Sequence, residues 1–401
     1  MELTYGIREA DEREVDAGLR DQAFRVRRIP FDPNMPAVDD ERVHVCRADG
    51  RLVASASVMP FGQWFGGGRV PLGGVAAVTV SPEVRGRGVA RTLLRDALAA
   101  MRDRGEVLSG LYPTTARLYR SVGYEHAARH VVTGLSIETL ARVEVGSDTC
   151  EIVPLDPDRI VDTVGPVYEA MAAEHDGWLS RSELWWRRSA HRYADTDNRR
   201  AYTVEAGGEV VGAMLVEHID PKGSKPGLHL YDLAVDGPFA TTPEALRASL
   251  AFLAGHGTTV GEVRTNLPTE LLAILVPDQH MGIRTHLVNM LRLVDMPGAV
   301  AARGFLVDDV APIDVAVRDP LAPWNEGRWQ LAVEDGKGRL EPGGTGRVGL
   351  DAATFAALWS GWASPWHLAA AGRLSEATAD DLVALQRMFA ARSTPHVLDF
   401  Y

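Results

Sequence analysis

Val-Ala-Ala-Val-Thr-Val-Ser-Pro-Glu-Val-Arg-Gly-Arg-Gly-Val-Ala, residues 75–90, is the stretch that decides the fold class. Its apolar, β-branched beginning is typical of a buried strand, and Ser81-Pro82 ends that strand. Beyond the glycines, apolar residues recur at the spacing of an amphipathic helix: Val89, Leu93, Leu94, Ala97, Leu98 and Met101. Because the first turn of a helix has unpaired N–H groups and a positive dipole end, the glycine-rich turn predicts a seat for a pyrophosphate.

The spacing of this turn distinguishes it from other phosphate-binding loops. It lacks the Gly-Lys-Ser/Thr of a Walker loop and the three glycines of a dinucleotide fingerprint. The pattern Arg85-x-x-Gly88-x-Ala90 instead resembles the Q/R-x-x-G-x-G/A signature of the GNAT acetyltransferase superfamily, which binds the pyrophosphate of acetyl-CoA. The resemblance implies acetyl-CoA as a co-substrate. The alternative is a glycine-rich turn in some other α/β protein.

Composition limits the classes of protein and of partner. The chain has 401 residues, of which 46% are hydrophobic and 24% charged, as expected for a globular protein of two or three domains. Its net charge of −12 argues against nucleic acid or an anionic membrane as a partner and is compatible with a cationic substrate. We find no signal-peptide profile and no apolar run of about 18 residues, so we expect a cytoplasmic protein. Two cysteines, Cys46 and Cys150, and scattered histidines predict no disulfide framework and no metal site.

Apolar runs and turns divide the chain into three segments, residues 1–142, 143–297 and 298–401. The first segment has helical spacing at 7–25 and 89–101, strands at 43–48, 51–59, 75–80, 107–112 and 128–137, and a short helix at 115–121. The second repeats this order more weakly, with strands at 201–206, 209–217 and 228–235 and a helix at 243–255, but it lacks the Arg-x-x-Gly-x-Gly/Ala turn. We interpret it as a degenerate copy that does not bind CoA, the alternative being unrelated α/β structure.

The third segment has a different pattern. Strands are predicted at 312–318, 328–334 and 346–350, followed by helices at 351–359, 365–371 and 377–391. Together the three segments predict an α/β chain with mixed sheets.

A second candidate for catalysis lies in the short helix after the fourth strand. In GNAT domains this helix often supplies a tyrosine within a Tyr-x-x-x-Gly-Phe/Tyr pattern, and Tyr119 with Gly123-Tyr124 matches it. A phenol with a pKa near 10 can protonate the departing CoA thiolate, whose conjugate acid has a pKa near 8.5. The alternative is that Tyr119 only packs the helix onto the sheet. Tyr124 is interpreted as structural.

Over its whole length the chain resembles the Eis (enhanced intracellular survival) family of aminoglycoside and lysine N-acetyltransferases. The resemblance rests on Arg85-Gly86-Arg87-Gly88, on Leu118-Tyr119, on the degenerate second segment and on two stretches similar to sterol carrier proteins, 315–320 and 368–373. The chain also stops on an aromatic residue, Tyr401, as that family does. The implied architecture is a catalytic GNAT domain (1–142), a degenerate GNAT-like domain (143–297) and a sterol-carrier-protein-like domain (298–401).

The resemblance assigns roles to particular residues. It implies that the α-carboxylate of Tyr401 enters the active site of the first domain and accepts the proton of the amine, whereas a frayed surface tail is the usual fate of a terminus. Backbone groups of Val78 and Val80 would hold the acetyl carbonyl and pantetheine arm, and Thr114 would lie near the acetyl group. The pyrophosphate would be surrounded by Arg85, Gly86, Arg87, Gly88, Val89 and Ala90. A hexamer is also implied.

The acceptor pocket is where the chain departs from the family. Asp21, Phe24, Trp64 and Asp399 are the candidate substrate-binding residues. Arg25, Arg27 and Arg28 would repel a polycation if they faced the pocket, but they could equally be solvated or hold the 3′-phosphate of CoA. Phe400 is not an acid, which weakens the expected recognition of an amine near the terminus.

The sequence therefore predicts an acetyl-CoA-dependent N-acetyltransferase that acetylates a primary amine of a small cationic molecule such as an aminoglycoside. Attack by the amine is expected to be direct, in a ternary complex, because no cysteine accompanies the GNAT elements and Cys46 is interpreted as a core residue. Acetylation of protein or peptide lysines is the alternative within the enzyme class. A non-catalytic acyl-CoA-binding regulator and a lipid carrier using the third segment are the alternatives outside it.

Overall fold

The structure is a computed structural model that describes residues 2–24, 38–143, 149–194, 196–220, 229–276 and 281–401. The first segment forms β1 (Leu3–Ile7), α1 (Arg13–Phe24), β2 (Val43–Ala48), β3 (Arg51–Phe65), β4 (Gly68–Val80), α2 (Val89–Asp103), β5 (Leu108–Leu111), α3 (Ala116–Ser121), β6 (Glu125–Ser136) and α4 (Ile137–Leu140). The predicted strand at 75–80 is the second half of β4. The predicted apolar face of α2 is buried.

The second segment forms β7 (Glu151–Leu155), α5 (Ile160–Ala172), β8 (Leu179–Ser180), α6 (Glu183–Ala194), β9 (Arg199–Ala206), β10 (Glu209–Ile219), β11 (Tyr231–Ala240), α7 (Pro243–Ala254), β12 (Val260–Thr265), α8 (Thr269–Leu275) and β13 (Gly282–Leu293). Its order of elements repeats that of the first segment from β9 onward: a hairpin, a strand, a helix, a parallel strand, a short helix and a final strand.

The third segment forms α9 (Met296–Ala302), β14 (Val310–Arg318), β15 (Gly327–Glu334), β16 (Lys337–Pro342), β17 (Val348–Asp351), α10 (Ala352–Trp359), α11 (Pro365–Ala370) and α12 (Ala379–Met388). The sequence does not predict β16, because only Gly338 and Leu340 of that strand are buried and no apolar alternation results.

The chain divides into two compact units, which differ from the three segments. Unit 1 consists of Met1–Ala128, Val288–Pro395 and Tyr401, and unit 2 consists of Arg129–Leu287 and His396–Phe400.

Unit 1 contains a sheet in the order β1-β2-β3-β4-β5-β13, in which only β4 and β5 are parallel. A core cluster on this sheet joins side chains of α2 to Val58, Val75, Tyr119 and Tyr124. Unit 1 also contains a four-stranded sheet in the order β16-β15-β14-β17.

Unit 2 contains a sheet in the order β6-β12-β11-β10-β9-β7, in which only β11 and β12 are parallel. The last strands of the two sheets are exchanged between the segments: β13 pairs with β5 in unit 1, and β6 pairs with β12 in unit 2. Segment boundaries read along the chain do not anticipate this exchange, because strand pairing is not local in sequence.

Within the described residues, no helix is long and apolar enough to cross a membrane.

Candidate active site

β4 contains an irregularity near its carboxyl end. Its register against β3 shifts between Ser57↔Ala76 and Ser55↔Thr79, and Ala77 has a φ of 51°. A positive φ in a residue other than glycine is costly, and bulges of this kind are concentrated next to active sites, where they redirect backbone groups. The sequence does not predict this bulge, for which the small side chain of Ala77 is the only local signal.

The parallel pairing of β4 with β5 ends before the bulge in β4. Pairing with β5 runs from Leu72↔Leu108 to Gly74↔Gly110, and β5 ends at Leu111, so residues 75–80 of β4 extend past it. Val78 and Val80, the residues predicted to hold the acetyl and pantetheine groups, lie on this free stretch and are half-buried. An unpaired strand edge of this kind offers N–H and C=O groups to an extended ligand.

The glycine-rich turn connects β4 to α2 and is exposed. Gly88 precedes α2 with a φ of 77°, and no side chain of the described residues caps this helix N-terminus. Gly86 has a φ of 76°, and a Cβ placed on Gly86 or Gly88 would meet no described atom within 4 Å. The guanidinium of Arg85 donates to the Val80 carbonyl at 3.1 Å and so joins the turn to the end of the strand. The first turn of α2 is therefore free to bind an anion through N–H groups and dipole.

Tyr119 lies on α3 and is 6% exposed. Burial raises the pKa of its phenol above 10, so the hydroxyl stays protonated at neutral pH. No residue in the described part of the chain forms a hydrogen bond with this hydroxyl, which leaves it able to serve a ligand. Thr114, also predicted to lie near the acetyl group, is exposed between β5 and α3.

Tyr124 has the structural role that the sequence analysis gave it. Its hydroxyl lies 2.7 Å from Ser109 Oγ, and burial raises its pKa to about 12. The rings of Tyr119 and Tyr124 pack edge to face with centroids 6.1 Å apart, so Tyr124 supports the α3 phenol from behind.

Tyr401, the terminal residue, belongs to unit 1. Its ring packs against Phe61 and Tyr112 with centroid distances of 5.2 and 5.5 Å, and its hydroxyl accepts a hydrogen bond from Asn289 Nδ2 at 3.4 Å. A Cβ on Gly74 would come within 2.9 Å of the ring, and one on Gly110 within 2.7 Å of the hydroxyl. We did not predict this slot from the sequence, although glycines inside strands often mark such close approaches.

The residues before Tyr401 belong to unit 2 and are buried from His396 to Asp399. Val397 N donates to the Arg129 carbonyl at 2.8 Å, and the imidazole Nε2 of His396 lies 2.9 Å from the Asn266 carbonyl. The carboxylate of Asp399 pairs with Arg181 at 2.9 Å and accepts from the Tyr168 hydroxyl at 3.4 Å. Burial raises the pKa of the Asp399 carboxyl, against the opposing effect of Arg181. Residues 396–399 are thus an ordered part of unit 2 and not a frayed tail.

Unit 2 contains a cavity of about 950 Å³. Asp399 and Phe400 reach its lining, together with acidic and aromatic side chains from α6, β10 and β11: Trp185, Tyr193, Glu217, Asp232 and Asp236. Arginines also line it, among them Arg264, which pairs with Asp232 at 2.6 Å. Burial raises the pKa of Tyr193, the carboxylates of Asp236 and Glu217 raise it further, and Arg199 and Arg192 lower it.

The four predicted substrate-binding residues lie on different elements. Asp21 and Phe24 lie at the end of α1, where Phe24 is 41% exposed. Trp64 pairs with Arg69 next to the turn of the β3–β4 hairpin, whereas Phe61 and Gly74, nearer its middle, contact Tyr401. Asp399 belongs to unit 2. Arg25, Arg27 and Arg28 lie outside the described residues.

Three parts of the chain match known domain families. Residues 6–127 and residues 177–293 each match an acetyltransferase (GNAT) domain, and residues 296–398 match a sterol carrier protein domain. The matches agree with the sequence interpretation of two GNAT domains followed by a sterol-carrier-protein-like domain.

Relatives and solved structures give the same result. An uncharacterized N-acetyltransferase of Streptomyces avermitilis is 30% identical over 333 residues, which cover 78% of this chain and 76% of the relative. A second from the same organism is 29% identical over 82% of both chains. The structure of a GCN5-related N-acetyltransferase from Anabaena variabilis matches all of both chains with a TM-score of 0.90 at 25% identity. Eis1 from Mycobacterium abscessus matches all of both chains with a TM-score of 0.81 at 22% identity, so the expected Eis-like fold is confirmed.

Proposed function

Because the chain belongs to the GNAT family of N-acetyltransferases, we propose that it transfers the acetyl group of acetyl-CoA to a primary amine of a small cationic molecule. The observation that carries the proposal is the exposed, uncapped N-terminus of α2 behind Gly88, next to the free edge of β4. A helix end that the chain does not cap itself is suited to the pyrophosphate of CoA.

The cofactor arm would run along unit 1. The N–H groups of residues 86–90 would bind the pyrophosphate, with Arg85 and Arg87 adding positive charge. The backbone of Val78 and Val80 would pair with the amide-bearing pantetheine, and the bulge at Ala77 would turn an N–H toward the thioester carbonyl. Donors placed in advance at that oxygen stabilise the negative charge that develops on it. Thr114 would lie beside the acetyl group.

In the reaction, the amine nitrogen attacks the thioester carbon and the C–S bond breaks. The Tyr119 hydroxyl gives its proton to the departing thiolate, and the α-carboxylate of Tyr401 takes the proton that the amine loses, directly or through water. Burial raises the pKa of Tyr119, so its hydroxyl carries a proton at neutral pH and has one to give to the thiolate. The seat of the Tyr401 ring between Phe61 and Tyr112 in unit 1 supports the role of the terminus.

Direct transfer is favoured over an acetylated enzyme. Cys46 is fully buried on β2 in a core cluster, and burial raises the pKa of its thiol, so it is a poor nucleophile. Incubation with acetyl-CoA but no amine is expected to leave the mass of the protein unchanged. A gain of one acetyl group that an added amine then removes would contradict direct transfer.

The acceptor is proposed to bind in the cavity of unit 2. Its lining includes groups that can bind an ammonium ion, namely the carboxylates of Asp236, Glu217 and Asp399 and the rings of Trp185 and Tyr193. Arg181 pairs with Asp236 and Asp399, and Arg199 pairs with Glu217, each at 2.9 Å, so the acceptor would share these carboxylates with the arginines. The variant Asp236→Asn is expected to raise the KM for the amine several-fold while the KM for acetyl-CoA stays unchanged. An unchanged KM for every amine would remove the cavity from the proposal.

The first test is CoA release from acetyl-CoA with aminoglycosides, polyamines and lysine peptides as acceptors. We expect turnover with the small polyamines or aminoglycosides. Turnover with lysine peptides alone would make the protein a lysine acetyltransferase, and binding of acetyl-CoA without CoA release would contradict an enzyme. Light scattering on the same sample tests the hexamer that the Eis resemblance implies.

The role of the terminus is tested with one additional C-terminal glycine. The glycine moves the carboxylate one residue away, and loss of a general base is expected to reduce kcat on the order of 100-fold. Tyr401→Phe leaves the carboxylate on residue 401 and serves as the control, with a loss below about tenfold because only one neutral hydrogen bond, that from Asn289, is removed. Equal activity of the glycine-extended and original proteins would exclude the terminal base.

A further inference from the structure

We propose that Asn289 and the glycine pair Gly74–Gly110 are positioning residues that set where the terminal carboxylate lies. They form a slot that recognises the phenol of Tyr401, and this slot fixes the last residue by its side chain. The inference rests on the proposed function, in which the carboxylate of Tyr401 is the base.

The slot exists because Gly74 and Gly110 have no side chain. Gly74 and Gly110 are register partners at the last paired position of β4 and β5. A Cβ on Gly74 would lie 2.9 Å from Tyr401 Cε2, and a Cβ on Gly110 would lie 2.7 Å from its hydroxyl oxygen. Real Cβ atoms essentially never approach so closely, so a larger residue would force a neighbour to move: Tyr401 or Phe61 at Gly74, and first of all the Tyr401 hydroxyl at Gly110, where Leu291 lies farther away at 3.2 Å. Neither glycine has a positive φ, so what requires glycine at these positions is space and not backbone conformation.

Asn289 makes the slot specific for a hydroxyl. It lies on β13, is 1% exposed, and donates from Nδ2 to the Tyr401 hydroxyl at 3.4 Å. Its Oδ1 is buried without a hydrogen-bond partner among the described residues. Buried amides are costly unless they are hydrogen-bonded, so the phenol of Tyr401 provides the one bond that this side chain forms in the described part of the chain.

The walls of the slot hold the ring in orientation. The rings of Phe61 and Tyr112 are tilted by 53° and 66° from that of Tyr401. Such tilted contacts favour a defined placement. Since the phenol tip is bound at Asn289 and the ring is held on two sides, the position of the carboxylate follows from the length of one rigid side chain. Misplacement of a catalytic group by about 1 Å can cost on the order of 100-fold in rate.

The experiment uses a clash and its relief in the full-length protein. Gly110→Ala places a methyl group against the Tyr401 hydroxyl, and Gly110→Ala combined with Tyr401→Phe removes the oxygen that it meets. Gly6→Ala on β1 is the matched strand-glycine control, since its Cβ would meet only Arg47 Nη1 at 3.4 Å. Each protein is digested with carboxypeptidase A, which releases C-terminal aromatic residues, and loss of residue 401 is followed by intact mass. The kcat and the KM for acetyl-CoA are measured in parallel.

We expect Gly110→Ala to release Tyr401 faster and to lower kcat about tenfold or more, with the KM for acetyl-CoA unchanged, because the carboxylate is displaced. The double variant is expected to recover both properties to the level of Tyr401→Phe alone, which avoids the clash but lacks the bond to Asn289. Asn289→Ala, combined with the original Tyr401, is expected to reproduce part of the Gly110→Ala effect. Gly6→Ala should match the original protein in both assays.

Other results would overturn the inference. If Gly110→Ala leaves release and kcat unchanged, no slot holds the residue. If the double variant is no better than the single one, Gly110 acts through the strand and not through Tyr401. If Tyr401 is protected in the original protein but no amine yields CoA, the proposed function fails and the slot is only a structural anchor.

Discussion

The two units differ at the N-terminus of the helix that follows the central strand, which is α2 in unit 1 and α7 in unit 2. At the start of α2, Gly88 contributes no side chain and leaves the first N–H groups uncapped. At the start of α7, Thr242 accepts a hydrogen bond from Ala245 N at 3.2 Å, and Pro243 removes a further N–H. A helix end can bind an anion only where the chain does not satisfy it, so the difference separates a ligand site from a self-contained turn.

The two units also differ just beyond the point where their parallel strands, β4 and β5 in unit 1 and β11 and β12 in unit 2, stop pairing. In unit 1, residues 75–80 of β4 extend past β5 as a free edge. In unit 2, Thr265 Oγ1 donates to the Gly237 carbonyl at 2.5 Å, and Gly237 N donates to Asn266 Oδ1 at 3.1 Å. Asn266 also bonds the C-terminal segment through His396 at 2.9 Å. In unit 2 the chain's own side chains bind the backbone groups of the strand that follow the parallel pairing, whereas in unit 1 the corresponding backbone groups are proposed to bind a ligand.

The helix after the parallel strand completes the comparison. α3 contains Tyr119, whereas α8 reads Thr-Glu-Leu-Leu-Ala-Ile-Leu and has no ionisable hydroxyl acid. The two halves therefore share a framework but not its chemistry. Substitutions can test each of these three differences: the helix N-terminus, the strand edge and the tyrosine of α3.

The largest effect is expected from Tyr119→Phe, which removes the phenol that α8 lacks. Loss of a general acid is expected to reduce kcat on the order of 100-fold with little change in the KM for acetyl-CoA. Because burial raises the pKa of Tyr119, the original protein should keep this proton, and the corresponding activity, to a higher pH than an exposed tyrosine would. A kcat–pH profile of CoA release measures both.

Tyr124→Phe is the matched control for Tyr119→Phe. It removes a buried phenol of the same core, together with its hydrogen bond to Ser109, and should cost about 1 kcal/mol of stability with kcat little changed. Equal losses of kcat in the two variants would mean that Tyr119 acts only through packing.

The next effect concerns His396, which closes the opening in unit 2. Burial holds its pKa at about 3, below the ordinary 6.5. Below pH 6.5 the unfolded chain binds a proton that the folded chain does not, so this stability is complete above pH 6.5 and is lost as the pH falls toward 3. Each pH unit in that window costs about 1.4 kcal/mol at most.

His396→Gln removes the titration and keeps a donor for the Asn266 carbonyl. We expect the free energy of unfolding to fall less between pH 7.5 and 4.5 than in the original protein, by about 2 kcal/mol. Urea unfolding at the two pH values measures this difference. His367→Gln, at an exposed histidine, should show the original pH dependence, and the same dependence in His396→Gln would contradict the buried neutral imidazole.

Gly88→Ala tests the open end of α2. A methyl group there meets no atom of the described residues within 4 Å, so apart from backbone strain it acts on the ligand, and the KM for acetyl-CoA should rise about tenfold as one or two N–H contacts are lost. Gly50→Ala is the control because Gly50 has a similar φ of 80° and equally free surroundings in the turn between β2 and β3. The backbone strain should cost about 1 kcal/mol in both variants. If the KM for acetyl-CoA rises in both variants, backbone strain and not the lost contact explains the effect.

The parts of the site that the sequence predicts are local in the chain. The path from β4 through Gly88 into α2 follows from a β-branched run, a proline, two glycines and a helical period within residues 75–101. Tyr119 follows from its spacing to Gly123. These features depend only on neighbours in sequence.

The parts that the sequence does not predict depend on which strands become neighbours. The bulge at Ala77 is defined only by the register against β3, and the slot at Gly110 only by the arrival of Tyr401. Asn289 reaches that slot because β13 pairs with β5 across the exchange of strands. Gly73-Gly74 and Gly110 are visible in the sequence, but their neighbours in sequence do not show that the side chain of Tyr401 packs against them.

The smallest effect is expected from Thr242→Ala, which removes the cap that distinguishes α7 from α2. Loss of the bond to Ala245 N should cost about 1 kcal/mol in the free energy of unfolding, and Thr242→Ser, which retains the hydroxyl, should cost less. Neither variant should change the KM for acetyl-CoA or create a second binding site, because Pro243 still removes an N–H and unit 2 still fills its own opening through Asn266. Calorimetric titration with CoA gives the number of sites directly. A second site appearing in Thr242→Ala alone would show that one cap is all that separates the two halves, and an unchanged stoichiometry would place the difference in the whole set of internal bonds.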